Sequence, residues 1–317
     1  MASRGELQLR WRLARGAAAA WLIAVASAAV AAEPSPPPAS PAPSVREVVV
    51  TGQTPKAARE RRQQLNAFVR RTPALNNGRA LARWTTPICP VVAGMTEDQG
   101  EYVLLRLFQA ARAAGAPAIE DGRCDANVFI VGTADPEGLV KAWGRRNPRI
   151  FEKGQAAEIR AFQETPRAVR VWYNARLDRP MTTADSPFEG LEGLPMNVPV
   201  SHHGVDSRLT SNSPYALSSA FVVVDSARVD GTKVGALADY LALAALAQLQ
   251  PDAGADGAPS ILSLFAAPAG SEPPDGLTAW DTAFLHALYH TRLEDVGQAT
   301  AIASRMNEEL SRGGAPP

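Results

Sequence analysis

The sequence has very little of the side-chain chemistry on which most enzymes depend. It contains two cysteines and four histidines. It has no G-x-S-x-G nucleophile motif, no Walker-type loop, no G-x-G-x-x-G, no S-x-x-K and no H-E-x-x-H. These absences exclude the recognisable signatures of serine hydrolases, nucleotide-binding enzymes and zinc peptidases. We therefore predict no catalytic residue, no metal site and no cofactor, and we favour a protein that is not an enzyme.

An excess of charge of either sign is also missing. The chain has 32 basic and 32 acidic side chains, so its formal net charge is zero. Without residues 1–32, which carry four arginines and one glutamate, 28 basic and 31 acidic side chains remain, a net charge of −3. Proteins that bind nucleic acid present a strongly basic surface, so we predict that nucleic acid is not a partner.

The chain begins with the pattern of an export signal. Four arginines between residues 4 and 15 precede the apolar run GAAAAWLIAVASAAVAA, which ends in small residues. This pattern predicts a cleavable signal peptide over residues 1–32, with cleavage after Ala31 or Ala32. The apolar run is short and rich in alanine for a membrane anchor, so no transmembrane span is expected after cleavage. We predict a periplasmic protein.

The rest of the chain divides into a linker, a domain and a tail. Residues 33–44, EPSPPPASPAPS, form a proline-rich linker that cannot build a core. Residues 45–310 carry strand and helix patterns and no internal repeat. They predict a single α/β domain, in an α+β arrangement, with a mixed sheet, a βαβ unit and a C-terminal helical region. Residues 311–317 are expected to be a disordered tail.

The two cysteines favour a disulfide, because exported proteins oxidise paired thiols. A strand at PICPVVAG precedes a helix that begins with a capping box of Thr96 and Gln99 and ends at Gly115, and the strand ANVFIVG follows. A βαβ crossover of this kind places its two strands parallel and adjacent. Cys89 and Cys124 then lie at the same end of the sheet, about one strand spacing apart. We predict a structural Cys89–Cys124 disulfide.

Hydrophobic periodicity and capping residues place the remaining elements. The predicted strands cover residues 46–52, 168–177 and 216–229, and the predicted helices cover residues 56–71, 136–146, 233–250, 277–293 and 294–310. Residues 179–217 are polar and proline-punctuated and are predicted to form a long loop. Loops of that length are commonly functional lids or disordered segments.

One histidine pair has a spacing that can chelate a metal. His286 and His290 stand at i and i+4 on a predicted helix, with Glu294 one turn further on. His286 lies roughly 200° around the helix from Phe284 and from Leu288, both expected to face the core. We therefore predict that the histidine pair follows the solvent-exposed face and binds no metal.

A second histidine pair lies in the long loop. His202 and His203 have Asp206 nearby, but a loop tip is the favoured interpretation over a metal site. The loop is nevertheless the place where the competing hypothesis of an enzyme would put its chemistry. That hypothesis is a hydrolase with an unrecognised active site under residues 179–217.

The segment KVGALADYLALAALAQLQ, residues 233–250, is apolar on nearly every side. Such a helix is expected to pack in the core. Its acidic residue, Asp239, falls in the second turn after a predicted cap at Thr232, where a local hydrogen bond is expected.

This helix, followed by PSILSLF (residues 259–265) and AWDTAFLHALYHTRL (residues 279–293), resembles the C-terminal half of a proteobacterial family of exported proteins. That family is a domain of unknown function with a zinc-peptidase-like helix, and the resemblance covers residues 215–310. The family has a His-Glu pair where Ala238 and Asp239 stand here. The resemblance implies a zincin-like topology and a degenerate peptidase-like fold that lacks zinc-activated water.

The segment REVVVTGQT, residues 46–54, resembles the segment by which TonB-dependent outer-membrane receptors of the Gram-negative envelope engage their energiser. We favour an ordinary first strand of the domain, since three consecutive valines suit a buried strand. The alternative is a strand that adds to an envelope partner.

Three functions follow from these observations. The favoured one is a periplasmic binding or scaffold protein without catalytic residues, whose partner is an envelope protein or a small ligand. The second is the hydrolase under residues 179–217, and the third is an envelope-assembly partner that acts through the strand at residues 46–52.

Overall fold

The computed structural model describes ten stretches of the chain: residues 54–74, 81–119, 124–151, 154–177, 185–189, 195–199, 215–254, 257–266, 272–292 and 297–312. Its helices are α1 Pro55–Arg71, α2 Glu97–Ala114, α3 Pro136–Arg146, α4 Ala156–Glu164, α5 Val234–Leu246, α6 Ala279–His290 and α7 Gln298–Arg312. Its strands are β1 Ala82–Arg83, β2 Pro90–Ala93, β3 Val128–Thr133, β4 Val169–Leu177, β5 Asp185–Glu189, β6 Pro195–Pro199 and β7 Tyr215–Asp225. Short 3₁₀ helices cover Pro148–Phe151 and Ile261–Phe265. The predicted signal peptide, the linker and the strand at residues 46–52 lie outside the described residues.

Strand β7 is the centre of a five-stranded mixed sheet. β4 runs antiparallel along one side of β7, so β3 and the short β1, both parallel to β7, share its other side. β2 completes the sheet beside β3, again parallel. After Tyr215, every residue of β7 is buried, as expected for a strand covered on both faces. The predicted α/β class is confirmed.

The predicted βαβ unit is present, and its helix has the predicted ends, whereas its strands cover Pro90–Ala93 and Val128–Thr133 rather than residues 87–94 and 126–132. The capping box of Thr96 and Gln99 begins α2, and Gly115, in the left-handed conformation with φ 74°, ends it. At the far end of β2, Gly94 has φ 69°. A Cβ atom there would collide with the carbonyl oxygen of Gly132 at the end of β3, so only glycine fits. The backbones of β2 and β3 therefore approach each other closely at this end of the parallel pair.

Helices cover both faces of the sheet, and the two cores differ. We call the side covered by α1, α2, α5, α6 and α7 the broad face; its core is rich in alanine and leucine. We call the side covered by α3, the first 3₁₀ helix and α4 the narrow face. Its core is mostly aromatic: Phe129, Val140, Trp143, Ile150, Phe151, Phe162, Trp172, Phe221 and Val223. The molecule is therefore a three-layer α/β arrangement with unequal outer layers.

Several predicted boundaries were wrong, and for α5 a tertiary contact ends the helix. Helix α5 stops at Leu246 rather than at Gln250, since Leu249 bridges to Pro73 and the Gln250 N–H donates to the Thr72 carbonyl at 2.8 Å. Strand β7 ends at Asp225 rather than at residue 229. The N–H groups of Arg228 and Val229 donate to the Asp225 carbonyl, so the chain forms a local turn after the strand. Helix α7 starts at Gln298 rather than at residue 294, and it continues to Arg312, two residues into the predicted tail.

The predicted loop over residues 179–217 also contains regular structure. β5 and β6 pair antiparallel, with Asp185 opposite Pro199 and Glu189 opposite Pro195, and β7 begins at Tyr215. The prolines suggested a loop, but a strand of a two-stranded hairpin has a free edge where a missing N–H is tolerated.

Candidate functional site

Helix α5 carries one acidic residue, Asp239, in its buried face. Asp239 is 2% exposed, and its carboxylate accepts two hydrogen bonds from the Arg106 guanidinium of α2, each 2.6 Å long. It also accepts the Leu277 N–H at 2.8 Å. The prediction of a local hydrogen bond for Asp239 was wrong, because its partners come from α2 and from the segment before α6. The hydrogen bond to Asp239 raises the pKa of Arg106.

This bidentate ion pair joins α2 to α5, and Ala238 beside it is fully buried. Nine of the thirteen residues of α5 are buried. The prediction that this helix packs in the core is confirmed, and its acidic residue stabilises a helix–helix contact.

A buried carboxylate links the two remaining segments that carry the family resemblance. Asp281 in α6 is fully buried and accepts hydrogen bonds from the Ser260 hydroxyl, the Ile261 N–H at 2.8 Å, and the N–H and hydroxyl of Thr278 at 2.8 Å each. Burial raises the pKa of Asp281, and the four donors act in the opposite direction. The Ser260 hydroxyl thus donates to a carboxylate that also accepts N–H groups at the starts of two helices. This arrangement gives Ser260 a structural role.

The histidine pair of α6 is stacked and does not converge on a common point. The rings of His286 and His290 lie 3.9 Å apart between centroids with planes 22° apart. Ring nitrogens bind a metal in the plane of the ring, so two nearly parallel rings cannot direct their lone pairs at one ion. His286 Nδ1 contacts the Glu309 carboxylate of α7, and His290 Nδ1 lies 2.9 Å from the His286 carbonyl oxygen.

His290 is exposed and His286 is half-buried, in agreement with the predicted solvent-facing side of α6 for His290. The carboxylate brought to the pair is Glu309, which is 23 residues away in sequence and was not predicted. Within the described residues, no group of three or more His, Cys, Asp or Glu side chains has the arrangement of a metal site. Glu294, His202, His203 and Asp206 lie outside those residues.

The two cysteines form the predicted disulfide. Cys89 and Cys124 are joined with a Cα–Cα distance of 6.0 Å and close a loop with a sequence separation of 35. The Asn127 side chain fixes the backbone before Cys89, since it accepts the Cys89 N–H at 2.8 Å and donates to the Pro87 carbonyl at 2.9 Å. The disulfide lies where β2 and β3 begin, at the end of the sheet opposite Gly94.

The narrow face carries an open groove that could hold a small ligand. It has a volume of about 390 Å³, within the range of small-molecule sites. Its lining comes from α3, the first 3₁₀ helix and α4: Lys141, Gly144, Arg145, Pro148, Phe151, Ile159 and Gln163. The groove was not predicted from the sequence, although the two arginines in the last turn of α3 indicate a basic surface there.

The two cations of the groove differ in their surroundings. Lys141 forms an ion pair with Glu137 one turn earlier, at 2.5 Å. That hydrogen bond raises the pKa of Lys141. Arg145, exposed in the last turn of α3, makes no hydrogen bond or ion pair to any residue that the structure describes. Arg145 is therefore the cation available to a ligand.

Two buried donors neighbour the residues that line this groove. The Arg170 guanidinium, in β4, donates to the Gln163 carbonyl at 2.7 Å, and burial lowers the pKa of Arg170. Among the described residues, neither its Nε nor the indole nitrogen of Trp143 has a hydrogen-bond partner. Arg170 and Trp143 are 6% and 1% exposed, so these unmade bonds carry a desolvation cost of about 1–3 kcal/mol each.

Comparison with protein-family models, with curated proteins and with solved structures finds no match for this chain. The implied zincin-like topology and the two sequence resemblances therefore stay predictions. In the part of the chain that the structure covers, none of the helices combines the length and the apolar character needed to cross a membrane.

Proposed function

We propose that this chain is an exported, non-catalytic binding protein of the periplasm, in which a disulfide-stapled α/β scaffold presents a ligand groove on its narrow face. The Cys89–Cys124 disulfide carries this proposal. Structural disulfides form and persist in oxidising compartments and are rare in the cytosol. The basic and apolar N-terminal pattern supplies a route to such a compartment.

The arrangement of polar side chains on the broad face supports a binding role over a catalytic one. Asp239 and Asp281, both buried, are tied into contacts between helices, and Ser260 and His286 are bonded to carboxylates. Each side chain stabilises a junction of the fold. The groove of the narrow face, by contrast, combines an apolar floor with a cation that has no described partner.

Export and oxidation are tested together by expressing the full chain in a Gram-negative host and separating its compartments. The proposal predicts a periplasmic product that starts at Ala32 or Glu33. Its intact mass should be about two hydrogen masses below that of the dithiol form, and alkylation should modify neither cysteine before reduction. A full-length cytoplasmic product with two alkylatable thiols would contradict the proposal.

A further inference from the structure

We propose that the groove between α3 and α4 binds a small carboxylate with an apolar body. The apolar body would lie on Phe151 and Ile159, and the carboxylate would pair with Arg145. The inference rests on the proposed binding role and names the class of ligand. It is carried by the charge of this layer, by the groove's lining and by the different pairing of its two cations.

The narrow-face layer is basic in a protein that is otherwise acidic. Residues 136–170, which span α3, α4 and the start of β4, contain eight basic and four acidic side chains, a net charge of +4. The chain from residue 33 onward has a net charge of −3, so the remainder of it carries −7. A local excess of positive charge attracts anions and raises their concentration at this surface.

The groove's lining suits a ligand that is only partly polar. The half-buried Ile159 and the exposed Pro148 offer apolar surface in the lining, and Phe151, which is 6% exposed, adds a small part of its ring. Gly144 allows Phe151 to pack closely against α3, because a Cβ atom there would lie 3.0 Å from the Phe151 ring and 3.5 Å from the Gln163 amide. Ligand sites of this kind combine apolar walls with a few polar groups that fix orientation.

Arg145 is the group suited to hold the anion. The guanidinium offers a planar fork of donors that matches both oxygens of a carboxylate, and no described residue competes for it. Lys141 is already paired with Glu137, so it contributes less. The buried Arg170 donates to the Gln163 carbonyl at 2.7 Å. The nearby charges of Asp225 and Glu137 oppose its own, so Arg145 remains the cation that an anion in the groove would meet.

Equilibrium dialysis of the mature, oxidised protein tests the inference with two probes, naphthoate and its neutral amide, naphthamide. The probes have the same apolar body and differ in charge. We expect saturable binding of naphthoate, about tenfold tighter than that of naphthamide. Arg145→Gln should weaken naphthoate binding about tenfold and leave naphthamide binding unchanged.

Arg146→Gln is the matched control, because Arg146 is the next residue of the same last turn, is exposed, and does not line the groove. It removes the same charge and should change naphthoate binding less than about twofold. Equal binding of the two probes, equal effects of the two variants, or no saturable binding would each overturn the inference. Those results would not affect the proposal that the protein is exported, since export is measured in a separate experiment.

Discussion

The broad and narrow faces of the sheet handle buried polar groups in opposite ways. On the broad face, the buried carboxylates Asp239 and Asp281 have three and four hydrogen-bond donors. On the narrow face, the buried Arg170 Nε and Trp143 indole nitrogen have no partner among the described residues. Fully satisfied networks rigidify a fold, whereas buried donors without a partner carry a desolvation cost. The described hydrogen-bond networks therefore stabilise the broad face, and the proposed binding site lies on the narrow face.

The largest expected effect is on the broad face. Asp281→Ala removes the acceptor of four donors, all of which lie at the starts of helices, and we expect the free energy of unfolding to fall by about 4 kcal/mol. Urea unfolding measures this change. Thr282→Ala, on an exposed site of the same helix, is the control and should cost less than about 0.5 kcal/mol. Similar losses in both variants would remove the special role of the buried carboxylate.

Loss of the disulfide should affect both faces, because β3, which begins beside it, contributes side chains to both cores. The double substitution Cys89→Ser with Cys124→Ser opens a loop with a sequence separation of 35, and we expect a loss of about 4 kcal/mol. Urea unfolding of the oxidised protein, the reduced protein and the double variant provides the measurement. Equal midpoints for oxidised and reduced protein would show that the disulfide does not stabilise the fold.

The two buried or half-buried arginines provide a direct contrast between the faces. Arg106→Met leaves the Asp239 carboxylate without its ion-pair partner, so we expect a loss of about 3 kcal/mol. Arg170→Met removes a desolvated guanidinium whose Nε has no described partner, so the loss should be about 1 kcal/mol or less. Thermal and urea unfolding of both variants supply the comparison. A larger loss for Arg170→Met would reverse the assignment of the two faces.

The smallest expected effect concerns metal. Elemental mass spectrometry of the purified mature protein should find no stoichiometric zinc, and EDTA should leave the melting temperature unchanged, because the stacked His286 and His290 rings cannot share an ion. The double variant His286→Gln with His290→Gln is the control. One equivalent of zinc that EDTA removes, with a lower melting temperature, would favour the enzyme hypothesis. Retention of that zinc in the double variant would place the site at other residues.

Local chemistry made part of this fold predictable. The Thr96 and Gln99 capping box, the Gly115 helix end and the disulfide pair follow from short-range patterns that the chain satisfies by itself. The end of α5 did not, because a contact with the segment after α1 stops the helix at Leu246.

The polar junctions and the groove were beyond local patterns for the same reason. Asp239 meets Arg106 across 133 residues, and His286 meets Glu309 across 23. The groove depends on how α3 and α4 are placed by Phe151 and Phe162 against Trp172, a tertiary arrangement of aromatic rings. Sequence periodicity gives the faces of single helices, but it does not tell which faces of separate elements will meet.

The tryptophans allow one measurement to test the division between the faces. Downstream of residue 32 the chain has four tryptophans: Trp84 and Trp280 belong to the broad-face core, and Trp143 and Trp172 to the narrow-face core. Their indole N–H signals, assigned with single Trp→Phe variants, can be followed by NMR while naphthoate is added. The account predicts saturable shifts of the Trp143 and Trp172 signals, with the Trp84 and Trp280 signals unchanged. Shifts confined to Trp84 and Trp280, or no shift at any indole, would contradict the claim that the narrow face binds and the broad face holds the fold.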